Sequence, residues 1–494
     1  MNYQIGRLVL SSRNTYKINN KSAKQCIILS ENMDNILINT NRDFNVKDNY
    51  VLVDTYQNKL IDNYGIIGDA ENDSNIFHYL HTYFWLSNTK LIKYFTDFDI
   101  DYDIENNREI YLNEVITVDP KGSVDLDDGF SLLFENNKIY LDIHIADPMS
   151  YFNFNKDNTW LIIEELSRRI STCYIPLKNK IRHLLPEIKI NNINLLELST
   201  LIGENKRAIT FCFTIDIQKN QVDLKIKKTI LKKIKNITYD EYDFIINKNI
   251  HYKNNLLELC NFMIKKINCN VYLKNEDYEN ISHKLIEIFM IWTNYYVGNY
   301  LYDNKNKMFV RTQEKFNDSQ FGVPEFAMPF LNYGAKYKMV DVKNEISYKH
   351  YSLGLENYCH VSSPMRRFAD MINHLLIHDI DNNKIFFEKL AKIINIDKIN
   401  DTTKTYKKIS NSYDLLKHLN ITNKFKACVF NKLKNNKVLL ILIDEKNNFK
   451  KIIKTILPIE YNKLNLYDEF NIELFYDSYK FKSKTIPFFI KIVD

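Results

Sequence analysis

Thr117-Val118-Asp119-Pro120-Lys121-Gly122-Ser123-Val124-Asp125-Leu126-Asp127-Asp128-Gly129 places four carboxylates within ten residues, two of them adjacent. Crowded carboxylates repel and raise one another's pKa unless a cation is present. An oxygen-only ligand set suits a hard ion, and Mg2+ in particular takes a few carboxylates, keeps waters and accepts phosphate oxygens. No His or Cys joins the run, which argues against zinc. A calcium loop fails on spacing: counted from Asp125, the fifth position is Gly129, the sixth Phe130 and the twelfth Asn136 in place of Glu. By itself the run reads as a metal site or as a solvated acidic turn.

On either side the pattern is strand-like. Glu114–Val118 reads as a strand, and Phe130–Phe134 and Ile139–Ile145 flank Glu135-Asn136-Asn137-Lys138 as a hairpin. His144 alternates with Ile143 and Ile145, so it reads as a structural residue. Longer helical patterns follow near Thr159–Ser171, Tyr239–Asn247, Asn280–Tyr300 and Pro364–Asp379.

Further out, residues 1–85 hold brief β-type runs: Leu8–Leu10, Cys26–Leu29, Ile36–Ile38 and Tyr50–Val53. Helical patterning near Ile76–Tyr94 and the acidic stretch Asp97–Glu105 lead into the middle of the chain. From about 422, five runs read as strands: Lys424–Phe430, Val438–Ile443, Lys451–Leu457, Phe470–Tyr476 and Phe488–Val493. That number of short strands in a basic segment suits an OB-type barrel. Residues 422–494 carry a local charge of +6, so the rest of the chain, which totals +6 with it, sums to zero. The basic run Lys225-x-Lys227-Lys228 to Lys235 reads as a solvated face rather than a nucleic-acid path.

Composition sets the outer bounds. With 45% hydrophobic and 26% charged residues, the 494-residue chain is globular in character and long enough for two to four domains. Gly (10) and Pro (9) are too scarce for collagen-like or flexible-linker architectures. Abundant Asn, Lys, Ile and Tyr point to an AT-rich genome. Seven cysteines with no C-x-x-C pair do not form a disulfide framework or a zinc site. The longest apolar run, Val438–Ile443, is far below the roughly 18 residues of a membrane span, and no secretory or transit pattern opens the chain. A soluble, cytoplasmic protein is expected.

Asp119-x5-Asp125-x-Asp127-Asp128, followed by Ile143-His144-Ile145-Ala146-Asp147-Pro148, resembles the signature of the ribonuclease II/R (RNB) family of exoribonucleases. A second block runs from Gly354 to His374 and reads GLENYCHVSSPMRRFADMINH. It resembles that family's G-L-x-x-Y-x-x-x-T-S-P-I-R-R-Y-x-D-x-x-x-H segment, with Ser for Thr and Met for Ile. Tyr174-Ile175-Pro176, Leu184-Leu185-Pro186, Leu198–Leu201 and Ile286–Met290 lie between them in the family's order.

The resemblance implies an α+β fold in which an RNB-type catalytic domain (111–420) is flanked by small OB-type β-barrels. These are a cold-shock-like RNA-binding barrel at 1–85, joined by a linker at 86–110, and a C-terminal RNA-binding barrel at 421–494. No further nuclease domain is expected before the first barrel and no basic tail after the last. It implies a Mg2+-dependent 3′→5′ exoribonuclease, with a two-metal site that Mn2+ could also fill, working as a monomer on single-stranded RNA. By resemblance Asp119, Asp125, Asp127 and Asp128 hold the metal, with Asp119 and Asp128 as direct ligands and Asp127 and Asp128 counted with Arg366 as catalytic.

Arg366 resembles the family's catalytic arginine, a fixed positive fork suited to phosphate. Ser363-Pro364 reads as a helix start, Ser as N-cap and Pro in the first turn. That would put Arg366 and Arg367 in the first turn, where Arg366 and Asp370 are also spaced for an ordinary i,i+4 ion pair. Tyr174, Tyr239 and Tyr272 match RNA-contacting aromatics, since every base offers a π-face to stack on. Glu287 is placed to accept a ribose 2′-hydroxyl, which would distinguish RNA from DNA, and Arg367 to assist in binding RNA. The stretch between Tyr272 and Glu287 is short for the family, and a late glutamate has no clear counterpart around Lys407–Leu416. The alternative is a catalytically silent RNB-fold protein that binds RNA as a regulator; a DNA exonuclease on the same scaffold is disfavoured.

Overall fold

The computed structural model describes residues 3–12, 14, 16–29, 35–39, 47–82, 89–96, 108–177, 180–190, 193–200, 203, 205–271, 280–305, 307–314, 327, 334–341, 348–378, 384–457, 463–480 and 488–493.

Five strands close into a barrel at the centre of the chain: Glu109–Asp119, Asp128–Glu135, Lys138–Ala146, Lys206–Asp216 and Gln221–Thr238. Closure comes from one parallel pairing, between Glu109–Asp119 and the 18-residue strand Gln221–Thr238. The expected hairpin is present. Asn136 and Asn137, at φ 49° and 61°, make its two-residue turn, a left-handed conformation that Asn accepts more readily than most residues. Alternation along the strands turns Ile139, Leu141, Ile143 and Ile145 into one core, where Phe211, Phe213 and the long helix Ser282–Lys305 join them through Phe289 and Trp292. Lys225, Lys232, Lys233 and Lys235 lie exposed on the longest strand, whereas Lys227, paired with Glu109 at 2.7 Å, and Lys228 are partly buried.

His144 is buried between Thr210 Oγ1 (2.8 Å) and Ser131 Oγ (3.3 Å), and burial holds its pKa down to about 3, in keeping with a structural role.

A six-stranded sheet forms from residues 3–66 and a five-stranded sheet from residues 424–493, the latter on the five expected runs. In the second, Thr455 Oγ1 donates to the Phe488 carbonyl at 3.0 Å, joining the two strands at opposite ends of the sheet order. These terminal sheets share a core that contains Ile5, Tyr50, Ile76 and Phe77 with Phe425, Leu440, Ile472 and Leu474. At its edge the buried Asp73 accepts from Tyr50 Oη at 2.7 Å and from Tyr476 Oη, 403 residues away, at 2.8 Å. Within the span expected as a linker, Thr89–Thr96 is helical, and Phe95 is buried against Phe152.

Several helical expectations change. Helix Ile250–Lys266 was not anticipated, although Leu256, Leu259, Cys260 and Met263 step along it at helical spacing and are buried, and neither were helices Lys384–Ile393 and Ile396–His418. The helix expected from Ser363-Pro364 starts at Phe368, and residues 364–366 form a turn. Arg367 is the N-cap in an extended conformation (φ −130°, ψ 126°) with no side-chain cap bond. Tertiary hydrogen bonds to that turn override the local Ser-Pro signal, so the i,i+4 spacing of Arg366 and Asp370 no longer applies.

All seven cysteines are free thiols. No helix among the described residues is long and apolar enough to cross a membrane.

Candidate active site

Two strand ends and the loop between them supply the carboxylates. Asp119 is the last residue of one barrel strand and Asp128 the first of the next. The loop turns at Pro120–Ser123, where Ser123 N–H donates to the Pro120 carbonyl at 3.2 Å and Gly122 has φ +85°. A type II turn asks for that φ at its third residue, and Gly meets it without strain. The rest of the loop is pinned by backbone bonds: Thr200 N–H to Leu126 O at 3.0 Å and Ala146 N–H to Asp127 O at 2.7 Å.

Asp127, 3% exposed, takes partners from the second motif. Its Oδ1 accepts the Met365 N–H at 2.6 Å and its Oδ2 the Arg366 Nε at 2.9 Å. The turn that delivers them is itself anchored twice. Asp370 Oδ1, fully buried, accepts from Ser363 N–H (2.7 Å) and Arg367 Nη2 (2.8 Å). The Arg366 carbonyl accepts from Thr172 N–H at 2.9 Å, and Phe368 N–H donates to Ile170 O at 2.9 Å. This second anchor ties the arginines to the strand Cys173–Ile175, which carries the half-exposed Tyr174. His374, one turn past Asp370, is buried with its Nε2 2.7 Å from the Val361 carbonyl and has a structural place.

Asp125 is paired with His183 Nδ1 at 3.2 Å. Asp119 is different: its buried Oδ2 has no hydrogen-bond partner among the described residues. Burial, then Asp128, push the Asp119 carboxyl up to about 7 against the pull of Arg366. Burial raises Asp128 to about 6, opposed by Arg366 and Arg367. Burial raises Asp127 as well, against Arg366.

These groups open onto one cavity of about 600 Å3. Asp119, Asp125, Asp127, Asp128, Tyr174, Tyr239, Glu287, Arg366 and Arg367 all line it; Tyr272 lies outside the described residues. Tyr239 opens helix Tyr239–Lys248, which Thr238 and Glu241 cap reciprocally. Its ring lies flat on that of His283, centroids 3.6 Å apart and 10° between planes. Burial, followed by Asp128 and Asp119, raises the Tyr239 hydroxyl to about 12. Glu287 pairs with Lys284 Nζ at 2.9 Å on the neighbouring turn.

Sequence reasoning missed His283, Met290 and Asn294, which face the same cavity from helix Ser282–Lys305. Stepping by three or four from Glu287 reaches each of them, so a helical-period search from that residue would have found the stripe.

No group of three or more His, Cys, Asp or Glu side chains among the described residues forms a ready metal cage. Mg2+ does not require one, since one or two carboxylates with waters and phosphate oxygens suffice. An unpartnered buried oxygen on Asp119 and two carboxyls raised by burial, that of Asp119 also by Asp128, are the chemistry such an ion would relieve.

A profile of the RNB domain family matches residues 107–325 and 328–383. Ribonuclease R of Chlamydia pneumoniae is 24% identical over 366 residues, covering 63% of this chain and 52% of its own length. The chain thus spans about half the length of the curated relatives it matches. Among solved structures, Mycoplasma genitalium RNase R in complex with ribose-methylated single-stranded RNA superposes with a TM-score of 0.65 at 16% identity, over 99% of this chain and 89% of that one. Yeast Ssd1, a pseudonuclease, superposes with a TM-score of 0.56 at 13% identity, over 92% and 65%.

Proposed function

This chain belongs to the RNB domain family, and from that premise we propose that it is a Mg2+-dependent 3′→5′ exoribonuclease releasing nucleoside 5′-monophosphates from single-stranded RNA. The observation that carries the reading is the Asp127–Arg366 pair. It holds a guanidinium in the lining of a cavity shared with three further aspartates, one with an unpartnered buried oxygen.

Asp119 and Asp128 are the residues that would hold Mg2+, with Asp125 beside them. When bound, the ion or ion pair would neutralise phosphate charge, lower the pKa of the attacking water and steady the leaving 3′-oxygen. Asp127 serves differently, since both of its oxygens are engaged: it fixes the direction of Arg366. With Nε committed to Asp127, the remaining edge of the half-exposed Arg366 side chain is the part available to a phosphate oxygen. Tyr174 and the Tyr239–His283 stack present ring faces to bases, and Glu287 a carboxylate to a ribose hydroxyl. We assign residues 111–420 to the catalytic domain and the sheets at either end to OB-type RNA-binding barrels.

The likeness to a pseudonuclease keeps the silent RNA-binding reading in view, because the two readings share a fold. Incubating the protein with 5′-labelled single-stranded RNA, in Mg2+ or in EDTA, separates them. A ladder retreating from the 3′ end to a limit product of a few nucleotides, lost in EDTA, is expected. RNA that is bound but stays intact would establish the silent reading, and equal digestion of DNA would remove the ribose assignment.

A further inference from the structure

The carboxylates of the cleft are not fixed alike. Asp127 has both oxygens engaged, and Asp119 has a buried oxygen with no partner among the described residues. Asp125 stands between these cases. His183 Nδ1 lies 3.2 Å from Asp125 Oδ2, with the two side chains 7% and 8% exposed. A carboxylate only accepts, so the imidazole nitrogen is the donor. Among the described residues this is the one hydrogen bond made by the Asp125 carboxylate, and Oδ1 is the oxygen left for the cavity that Asp125 lines.

The main chain on both sides of Asp125 is pinned. Ser199 Oγ donates to the Val124 carbonyl at 3.4 Å, and the Leu126 carbonyl accepts from Thr200 N–H (3.0 Å) and Thr200 Oγ1 (3.1 Å). Those bonds set where Asp125 sits and leave the direction of its carboxylate to His183. The imidazole has a firm mount. His183 follows strand Lys180–Arg182, its carbonyl accepts from Arg169 Nη1 at 3.3 Å, and the next N–H, of Leu184, donates to Thr172 Oγ1 at 3.1 Å. Thr172 is the residue whose N–H holds the Arg366 carbonyl, and Ile181, two residues before His183, is registered opposite Tyr174. One segment therefore carries the aromatic, the tie to the arginine turn and the donor to Asp125.

We propose that His183 is the positioning residue of Asp125, holding Oδ2 so that Oδ1 faces the divalent ion or a water on it. The inference rests on the reading above, in which Asp119 and Asp128 would hold Mg2+ with Asp125 beside them. A donor behind a metal-facing carboxylate fixes its orientation, and losing such a partner typically costs about 10–100-fold in metal affinity or activity. The competing account is an ordinary buried pair that adds to stability with or without the ion. The two accounts differ in what Mg2+ does.

The test follows the melting temperature of the full chain as Mg2+ is added, since binding to the native state alone raises it. His183→Leu removes the donor and keeps apolar bulk, whereas His183→Asn returns an amide N–H. His183→Leu is expected to need about tenfold more Mg2+ than wild type for the same rise, and His183→Asn to stay within about threefold. Cleavage by His183→Leu should need the same extra Mg2+, with RNA affinity in EDTA unchanged. A leucine variant with the wild-type Mg2+ dependence overturns the proposal, even if it melts lower in EDTA, because that is the mark of a merely structural pair. An asparagine variant as defective as the leucine one overturns it too. Should His183→Leu fail to fold, the wild-type ring is read directly by NMR of 15N-histidine-labelled protein. The imidazole resonances absent from His183→Asn should shift when Mg2+ is added, and stationary resonances overturn the proposal. Mg2+ stabilisation that weakens in His183→Leu while wild type leaves RNA intact would remove the nuclease reading and leave this inference standing.

Discussion

Arg366 donates its Nε to Oδ2 of Asp127 at 2.9 Å, across 239 residues of sequence, while the neighbouring Met365 N–H takes the other carboxylate oxygen at 2.6 Å. Two motifs that are remote in sequence are therefore one rigid unit. An Asp with both oxygens engaged aims the arginine, and Asp370 holds the turn from behind through Ser363 and Arg367.

Replacing the fork should separate chemistry from affinity. Lysine offers a point charge and no Nε to share with Asp127. Arg366→Lys is expected to slow single-turnover RNA cleavage by about 10²–10³-fold, the usual loss for a preorganised electrostatic group. RNA affinity, measured by equilibrium binding in EDTA, should change by less than about tenfold. Cleavage within about threefold of wild type would remove Arg366 from the chemistry.

Asp119 should report the metal without any substrate. Mg2+ is expected to raise the melting temperature of the wild-type chain, and Asp119→Asn to abolish that rise along with cleavage. In EDTA the variant should be no less stable than wild type, because a buried, crowded carboxylate has been neutralised. Retained Mg2+ stabilisation in the variant would place the ion elsewhere.

The Tyr239–His283 stack separates ring contact from proton chemistry. His283→Phe keeps a flat partner and should hold cleavage within about threefold of wild type. His283→Ala frees the Tyr239 ring and should lower affinity for short RNAs by about five- to tenfold, as expected when about 1 kcal/mol of aromatic contact is lost. Equal losses in both variants would point to the imidazole's nitrogens instead.

His144 makes a pH prediction for stability. Its pKa is depressed to about 3 in the fold, against about 6.5 in an unfolded chain. Below pH 6.5 the unfolded state binds the extra proton, so this residue's contribution falls as pH drops from 6.5 towards 3. At pH 5 the cost is about 2 kcal/mol. Urea denaturation at pH 7 and pH 5 should therefore show a smaller acid loss for His144→Gln than for wild type. The same loss in both would mean that His144 does not titrate in this way.

The carboxylate run, the Asn136-Asn137 hairpin and the five C-terminal strands were legible because each signal is local: like charges in sequence, left-handed turn residues, alternation bounded by polar turns. What stayed hidden depends on distant partners. Ser363-Pro364 carries a sound helix-start signal, yet Asp127, Asp370 and Thr172 claim the turn's hydrogen bonds and delay the helix to Phe368. Ile170 is a second case. It holds φ 61°, an uncommon angle for a β-branched residue, between its own N–H bond to Leu166 O (3.0 Å) and the Phe368 N–H bond to its carbonyl (2.9 Å). No reading of Ser167–Thr172 alone places a positive-φ residue there.

The hydroxyl of Tyr476 on Asp73 also sets an order of events during synthesis. Ile5, Ile76 and Phe77 belong to a core completed by Ile472 and Leu474, so these residues wait for others about 400 positions further along the chain. Until strands Lys424–Lys432 to Phe488–Val493 leave the ribosome, the nascent chain carries an apolar face on its six-stranded sheet and a half-satisfied carboxylate on the helix Ala70–Thr82 that follows it. Long-range closure of this kind is slow and exposed to aggregation. Cells making the protein are expected to hold it on chaperones late into translation, and a chain broken off before Glu469 to lose its N-terminal sheet along with its C-terminal one.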